Sequence, residues 1–184
     1  TEMTIESRMI VRVNHSLKIP EIESTTVADL AHEKQNSVML LRLCYPEVIK
    51  KENEIYAILN EIDYTNKSII EIAQQCNTYI FNNFTYSKGI TNIETTIDEI
   101  LEIRKGVCQD FAHVLLQLLR TAGIPSRYVS GYICPNEGGL RGEGATHAWV
   151  EIYTPKQGWL GLDPTNNIWT MDNHVKLSVG RNFY

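Results

Sequence analysis

Apolar residues at Ile69, Ile72, Ala73, Cys76, Tyr79 and Ile80 recur three and four apart. They form one stripe of a helix that begins at Ser68 and ends near Asn83. A stronger signal follows in Phe111, Ala112, Val114, Leu115, Leu116, Leu118, Leu119 and Ala122. These cover more than one face, which predicts a central, largely buried helix over Cys108–Ala122. Gly123 suits its C′ position and Pro125 prevents continuation. Further upstream, Ser24 or Thr25 is placed to cap a helix running to about Lys34, and a second helical stretch covers roughly 36–44. Pro46 interrupts, and the segment near 47–60 reads as another helix. Thr96 with Glu99 three residues on is a capping box for a short helix through Ile103, which Gly106 is expected to break.

Strand patterns sit at the two ends of the chain. Residues 4–13 alternate, and Asn14–Ser24, with Pro20 inside it, reads as a loop. Phe84-Thr85-Tyr86 is a short extended piece. Arg127–Ile133, 147–153, 158–163 and a last run near 174–179 read as strands. On 147–153, Ala148, Val150 and Ile152 share a core face, while His147, Trp149, Glu151 and Tyr153 share the other. The glycine-rich run 135–144 reads as a mobile loop, either a cover for a cleft or a surface insertion.

Composition narrows the class. At 184 residues, 43% hydrophobic and 21% charged, the chain suits one domain with a full core. Net charge is −5 and no long Lys/Arg run exists, so nucleic-acid binding is unsupported. No apolar stretch approaches the length of a membrane span. Cys44, Cys76, Cys108 and Cys134 form no C-x-x-C pair and no zinc spacing, so no metal is expected and all four read as thiols of a reducing, cytoplasmic compartment. Cys44 and Cys76 read as core residues. Thr1 rather than Met opens the chain, so an N-terminal part is expected to be missing.

Three positions carry candidate chemistry. Cys108 follows Gly106 at the start of the apolar helix, where free N–H groups and the helix dipole favour a thiolate. His147 enters a strand and Asp163 leaves the next one. Each has an ordinary explanation by itself: a buried thiol, a surface histidine, an Asp-Pro turn. The hairpin ties two of them together. A loop of three residues (154–156), or of five, puts His147 directly opposite Asp163, with Cβ atoms about 4.5–5.5 Å apart. An even loop puts them on opposite faces.

The runs Gly106–His113, Ala122–Tyr132, His147-Ala148-Trp149-Val150-Glu151 and Gly158–Asn166, with Phe84-Thr85-Tyr86 and Val179-Gly180-Arg181, resemble the bacterial branch of the transglutaminase-like superfamily. The resemblance is dense from about residue 66 onward and implies an α+β, papain-like core. In such a core a central helix carrying the cysteine packs on an antiparallel sheet carrying the histidine and aspartate. By position it makes Cys108 the nucleophile, His147 the base and Asp163 its orienting partner. Residues 1–13 then resemble the last strand of a truncated N-terminal β domain, with 14–184 the catalytic core. Tyr86, Gln109 and Trp149 are the candidates for oxyanion or substrate contacts. No EF-hand-like acidic loop is present, so calcium activation is not carried over, and no cofactor is implied. The implied activity is thiol-dependent acyl transfer or hydrolysis at an amide bond of a protein or peptide substrate, through a thioester. The alternatives are an inactive peptide- or protein-binding module, against which the intact trio argues, and a thiol-redox protein, for which no second cysteine adjoins Cys108.

Overall fold

The computed structural model describes residues 10, 20, 24–134, 139–142 and 145–183. All but Ile10 of the strand expected over 4–13 lies outside them, as does part of the glycine-rich run. A helical layer comes first in the chain: α1 (Leu30–Asn36), α2 (Val38–Arg42), α3 (Glu52–Glu61), a 3-10 turn at Tyr64–Asn66, and α4 (Ile69–Asn83). Next come β1 (Thr85–Tyr86), α5 (Ile97–Ile103), β2 (Lys105–Gly106) and α6 (Cys108–Thr121). The strands β3 (Ser126–Ile133), β4 (Thr146–Thr154), β5 (Gly158–Asp163), β6 (Ile168–Trp169) and β7 (His174–Gly180) complete it. The last five form one antiparallel sheet in the order β6-β5-β4-β3-β7.

The breadth of the α6 apolar surface explains its position. It packs on β3 and β4 on one side and against α3, α4 and α5 on the other. Phe111, Leu115, Leu116 and Leu119 join Ala148, Val150, Ile152, Leu160 and Leu162 of the sheet in one buried cluster. The expected core face of β4 is thus the one that meets the helices. The capping box expected at Thr96 and Glu99 is formed at α5, and Ser68 with Glu71 forms another at α4.

Several boundaries differ from the sequence expectation, each for a local reason. The helix expected near 47–60 begins only at Glu52, because the Asp98 carboxylate accepts the Lys50 and Lys51 N–H groups and supplies the cap from α5. The helix expected from Ser24 or Thr25 begins at Leu30, since the Asp29 carboxylate draws the Thr26 N–H and hydroxyl into a turn. Arg104 in the left-handed region (φ 51°), rather than Gly106, ends α5. Gly106 instead belongs to a two-residue parallel ladder in which Thr85 pairs with Lys105 and Tyr86 with Gly106. β6, two residues long, had no readable pattern.

The hairpin register also differs. Thr154 pairs with Gly158 and Tyr153 with Trp159, so the loop is residues 155–157. Thr154 stays in the strand because its hydroxyl oxygen accepts the Gln157 N–H at 3.2 Å. The loop length is odd, so His147 and Asp163 share a face, but they are diagonal rather than directly opposite neighbours. A diagonal gap of roughly 7–8 Å is within reach of an imidazole and a carboxylate.

Gly106 is needed for close approach. A Cβ there would lie 2.5 Å from Asp110 Oδ2 and 2.7 Å from Asp110 Cβ. Gly106→Ala should therefore lower stability by about 1–3 kcal/mol through overpacking, read as a lower urea midpoint. An unchanged midpoint would show that Asp110 can move aside at no cost.

Candidate active site

The start of α6 is set by Asp110. Its Oδ2 accepts the Val107 N–H at 2.7 Å and the Thr91 hydroxyl at 2.6 Å. Burial raises the Asp110 carboxyl, and these two bonds offset part of that rise. Val107 is extended, and Cys108 is the first helical residue, half-buried, with first-turn N–H groups that no helical carbonyl can take. The β1–β2 ladder brings Tyr86 alongside, with its ring edge-on to Phe111 at 6.3 Å. Burial and the Cys108 sulfur both raise the Tyr86 phenol.

His147 and Asp163 have fully buried side chains, and His147 Nε2 lies 2.9 Å from Asp163 Oδ2. Burial alone would lower the His147 imidazole. The hydrogen bond to Asp163 and the Cys108 sulfur outweigh it and lift it to about 9. Nε2 is on Asp163, and Nδ1, also buried, has no hydrogen-bond partner among the described residues. Among the described residues, four donors reach the Asp163 carboxylate. Asn166 Nδ2 at 2.7 Å and His174 Nε2 at 3.3 Å reach Oδ2 beside His147, and the Thr165 N–H reaches Oδ1 at 2.9 Å. Burial pushes this carboxyl up, but the bonds from His147 and His174 prevail and hold it well below the usual carboxylate range. Its backbone carbonyl accepts from Asn77 of α4, which also bonds Asn167.

His174 and Asn166 are the residues that sequence reasoning did not single out. Met171 N–H donates to His174 Nδ1 at 3.2 Å, which leaves Nε2–H to donate to Asp163. The Asn173 amide, 3.0 Å from the same Nδ1, fits this tautomer when turned to present its NH2, which otherwise has no partner. His147, Asp163 and His174 have ligand atoms within 4.8 Å of one another, a spacing a metal ion could use. Two N–H donors meeting one carboxylate oxygen account for it without an ion. No local pattern marks His174, because its contact depends on the chain crossing the end of the sheet. Asn166 had a readable signal, three residues after Asp163 in the quoted run.

The remaining candidates separate. Tyr86 is beside Cys108. Gln109 is half-buried and lines a cavity of about 190 Å³ with Thr91, Asn92, Ile93, Val107 and Asp110. Trp149 is 2% exposed and stacks behind His147 at 6.3 Å, with its ring meeting His174 edge-on at 5.3 Å. It is a wall of the site rather than a surface open to substrate, because its neighbours cover it on both sides.

This helix-start cysteine over a sheet-borne His–Asp pair is a papain-like arrangement, and the comparisons agree. The profile described as the transglutaminase-like superfamily matches residues 56–164, and the chain belongs to that superfamily. An uncharacterized protein of Mycobacterium tuberculosis is 38% identical over 125 residues, covering 64% of this chain and 40% of that protein. The chain therefore spans well under half the length of this relative. A protein-glutamine gamma-glutamyltransferase of Pseudomonas aeruginosa is 35% identical over 94 residues, covering 46% of this chain and 14% of the relative. Among solved structures, a candidate cysteine protease from Cytophaga hutchinsonii aligns with TM-score 0.66 at 26% identity, over 86% of this chain and 51% of that one.

Removing the His174 donor tests the buried network. His174→Ala should cost about 1–3 kcal/mol in urea denaturation, and His174→Gln, which keeps an N–H donor, should recover part of it. Equal stability of all three proteins would mean that the 3.3 Å contact contributes nothing.

Proposed function

We propose that the protein is a cysteine acyltransferase or hydrolase acting on an amide bond of a protein or peptide. Cys108 is the nucleophile, His147 the general acid and base, and Asp163 the group that orients His147. One observation supports this reading above all: a fully buried His147–Asp163 pair at 2.9 Å, with Nδ1 unpaired among the described residues and the Cys108 sulfur near enough to raise the ring.

The cycle follows from proton positions. The Cys108 thiolate attacks the amide carbonyl carbon, and the backbone N–H of Cys108, in the first turn of α6, stabilises the resulting oxyanion in this reading. Collapse expels the amine, which takes the proton from His147 Nδ1. An acyl-thioester on Cys108 and a neutral imidazole remain. His147 Nδ1 then removes a proton from the incoming water or amine as it attacks the thioester. The thiolate leaves and the imidazolium is restored. Throughout, Nε2–H stays on Asp163, so ring orientation does not change. Water gives hydrolysis and an amine gives transamidation. Residues 14–184 are taken as the unit that performs this cycle, in a cytoplasmic setting.

Among the four thiols, Cys108 should be the fastest to react with iodoacetamide in the native protein. Earlier labelling of Cys44, Cys76 or Cys134 would remove the basis for the assignment. Glutamine-containing peptides and bacterial wall peptides are the donors to screen, with the acyl adduct on Cys108 read by mass spectrometry. Cys108→Ala should abolish turnover and His147→Ala should nearly do so. Asp163→Ala should retain about a hundredfold more activity than either. Melting curves on each variant separate loss of chemistry from loss of fold.

The pH dependence has a definite sign. His147 is raised, so it is protonated at neutral pH and loses its proton as pH rises through about 9. Leaving-group protonation, and with it the acylation rate, should fall on that alkaline limb. Asp163→Asn removes the partner that raises His147, so the limb should move to lower pH. A limb that stays in place in Asp163→Asn would assign it to another group.

A further inference from the structure

We propose that Arg141 determines specificity in the cleft and that the amide substrate is an acidic peptide, whose carboxylate the Arg141 guanidinium binds beside Cys108. This rests on the reading of Cys108 as nucleophile.

Arg141 is held across the site at both ends. Its backbone N–H donates to Asn166 Oδ1 at 2.8 Å and its carbonyl accepts from Asn166 Nδ2 at 3.1 Å. The same Asn166 amide donates to Asp163. At Gly142 the chain passes close against the Nδ1 edge of His147, where a Cβ would lie 2.5 Å from that atom. From this anchorage the Arg141 side chain reaches the opposite wall. Its guanidinium lies 5.3 Å from the centre of the Phe81 ring and 6.0 Å from that of Tyr86. Tyr86 is in turn the residue that the β1–β2 ladder sets next to Gly106, two residues from Cys108.

No carboxylate among the described residues meets its charge. Arg104, Arg127 and Arg181 each meet a carboxylate, respectively Glu54, Glu151 and Glu47. Among the described residues Arg141 has no such ion pair, only aromatic rings. The two buried carboxylates of the site are already in use: Asp163 by its four donors, and Asp110 by Val107 and Thr91. A guanidinium lying on aromatic rings keeps its N–H edge free, and that planar fork fits a carboxylate with two parallel hydrogen bonds. In a chain of net charge −5, an exposed cation lying against Tyr86 also selects for acidic ligands against the prevailing field.

Two alkylating probes of nearly equal size test this without knowledge of the natural substrate. Iodoacetate and iodoacetamide both transfer their CH2 carbon to the Cys108 sulfur and release iodide, and they differ in carrying a carboxylate or a neutral amide. The readout is the ratio of the two rates at Cys108. The attraction of His147 for an anion is common to all variants and cancels in the comparison. The ratio should fall about fivefold in Arg141→Gln, since one unit charge a few ångströms away in a wet cleft is worth about that factor. Arg141→Lys should keep most of it, and Arg141→Glu should lower it further. If Cys108 remains the fastest thiol but wild type, Arg141→Gln and Arg141→Glu share one ratio, the proposal fails and the thiol mechanism stands. If Cys108 is not the fastest thiol, both fail together.

Discussion

A carboxylate with no exposed surface depends entirely on its neighbours, and Asp163 is such a group. Taking its charge out of water costs several kcal/mol unless donors replace the lost hydration. Four N–H groups do so, from His147, His174, Asn166 and Thr165. They come from four places: the entry of β4, the entry of β7 and two successive positions of the turn after β5. The carboxylate can be satisfied only when the hairpin, that turn and the return to β7 are all in place. The arrangement thus works as a registration device for the sheet as well as a partner for His147. Its electrostatics act in one direction, because an aspartate held ionised is what keeps an otherwise desolvated imidazole protonated.

The cysteine reaches this pair by a separate route. Gly106 lets Asp110 fold back on the start of α6, and Asp110 fixes the extended Val107 just before Cys108. The parallel ladder of β1 and β2 adds Tyr86 to the same edge. None of these contacts involves the sheet. Their meeting with His147 depends on how α6 lies on β3 and β4, which is a matter of apolar packing. Polar groups therefore set each half of the site, and the core sets the distance between them.

Legibility in the sequence followed the range of the interaction. Thr96 with Glu99 was readable because a capping box spans four residues; Ser68 with Glu71 carries the same local signature, though the expectation there rests only on the apolar stripe after Ser68. The shared face of His147 and Asp163 was readable because parity survives a register shift of two residues, and the shift at Thr154 was of that kind. The start of α3 was not readable, because its cap comes from Asp98, far along the chain. His174 looked like an ordinary strand entry, since nothing near it in sequence announces Asp163. Trp149 was placed on the correct strand face, but its enclosure by His147 and His174 was invisible to alternation alone.

The far end of α6 shows what positional accuracy requires. Arg120 is 2% exposed, and its guanidinium donates to the carbonyls of Ser126 and Arg181 and to the Asn182 side chain. Asn182 donates onward to Glu47, and Arg181 donates to the Tyr45 carbonyl. The segment after β7 is thereby tied to the C-terminal end of α6 and to the chain before α3. A cation buried this deeply is a poor choice for stability alone, since apolar residues of similar volume often do as well. It does supply direction. Several hydrogen bonds at fixed angles stop the helix from sliding or rotating on the sheet, which a purely apolar contact would permit. The other end of the same helix carries Cys108, and a thiol set to react is sensitive to displacements of about an ångström. The anchored end thus protects the half-exposed one, and the helix between them transmits the constraint as a rigid rod.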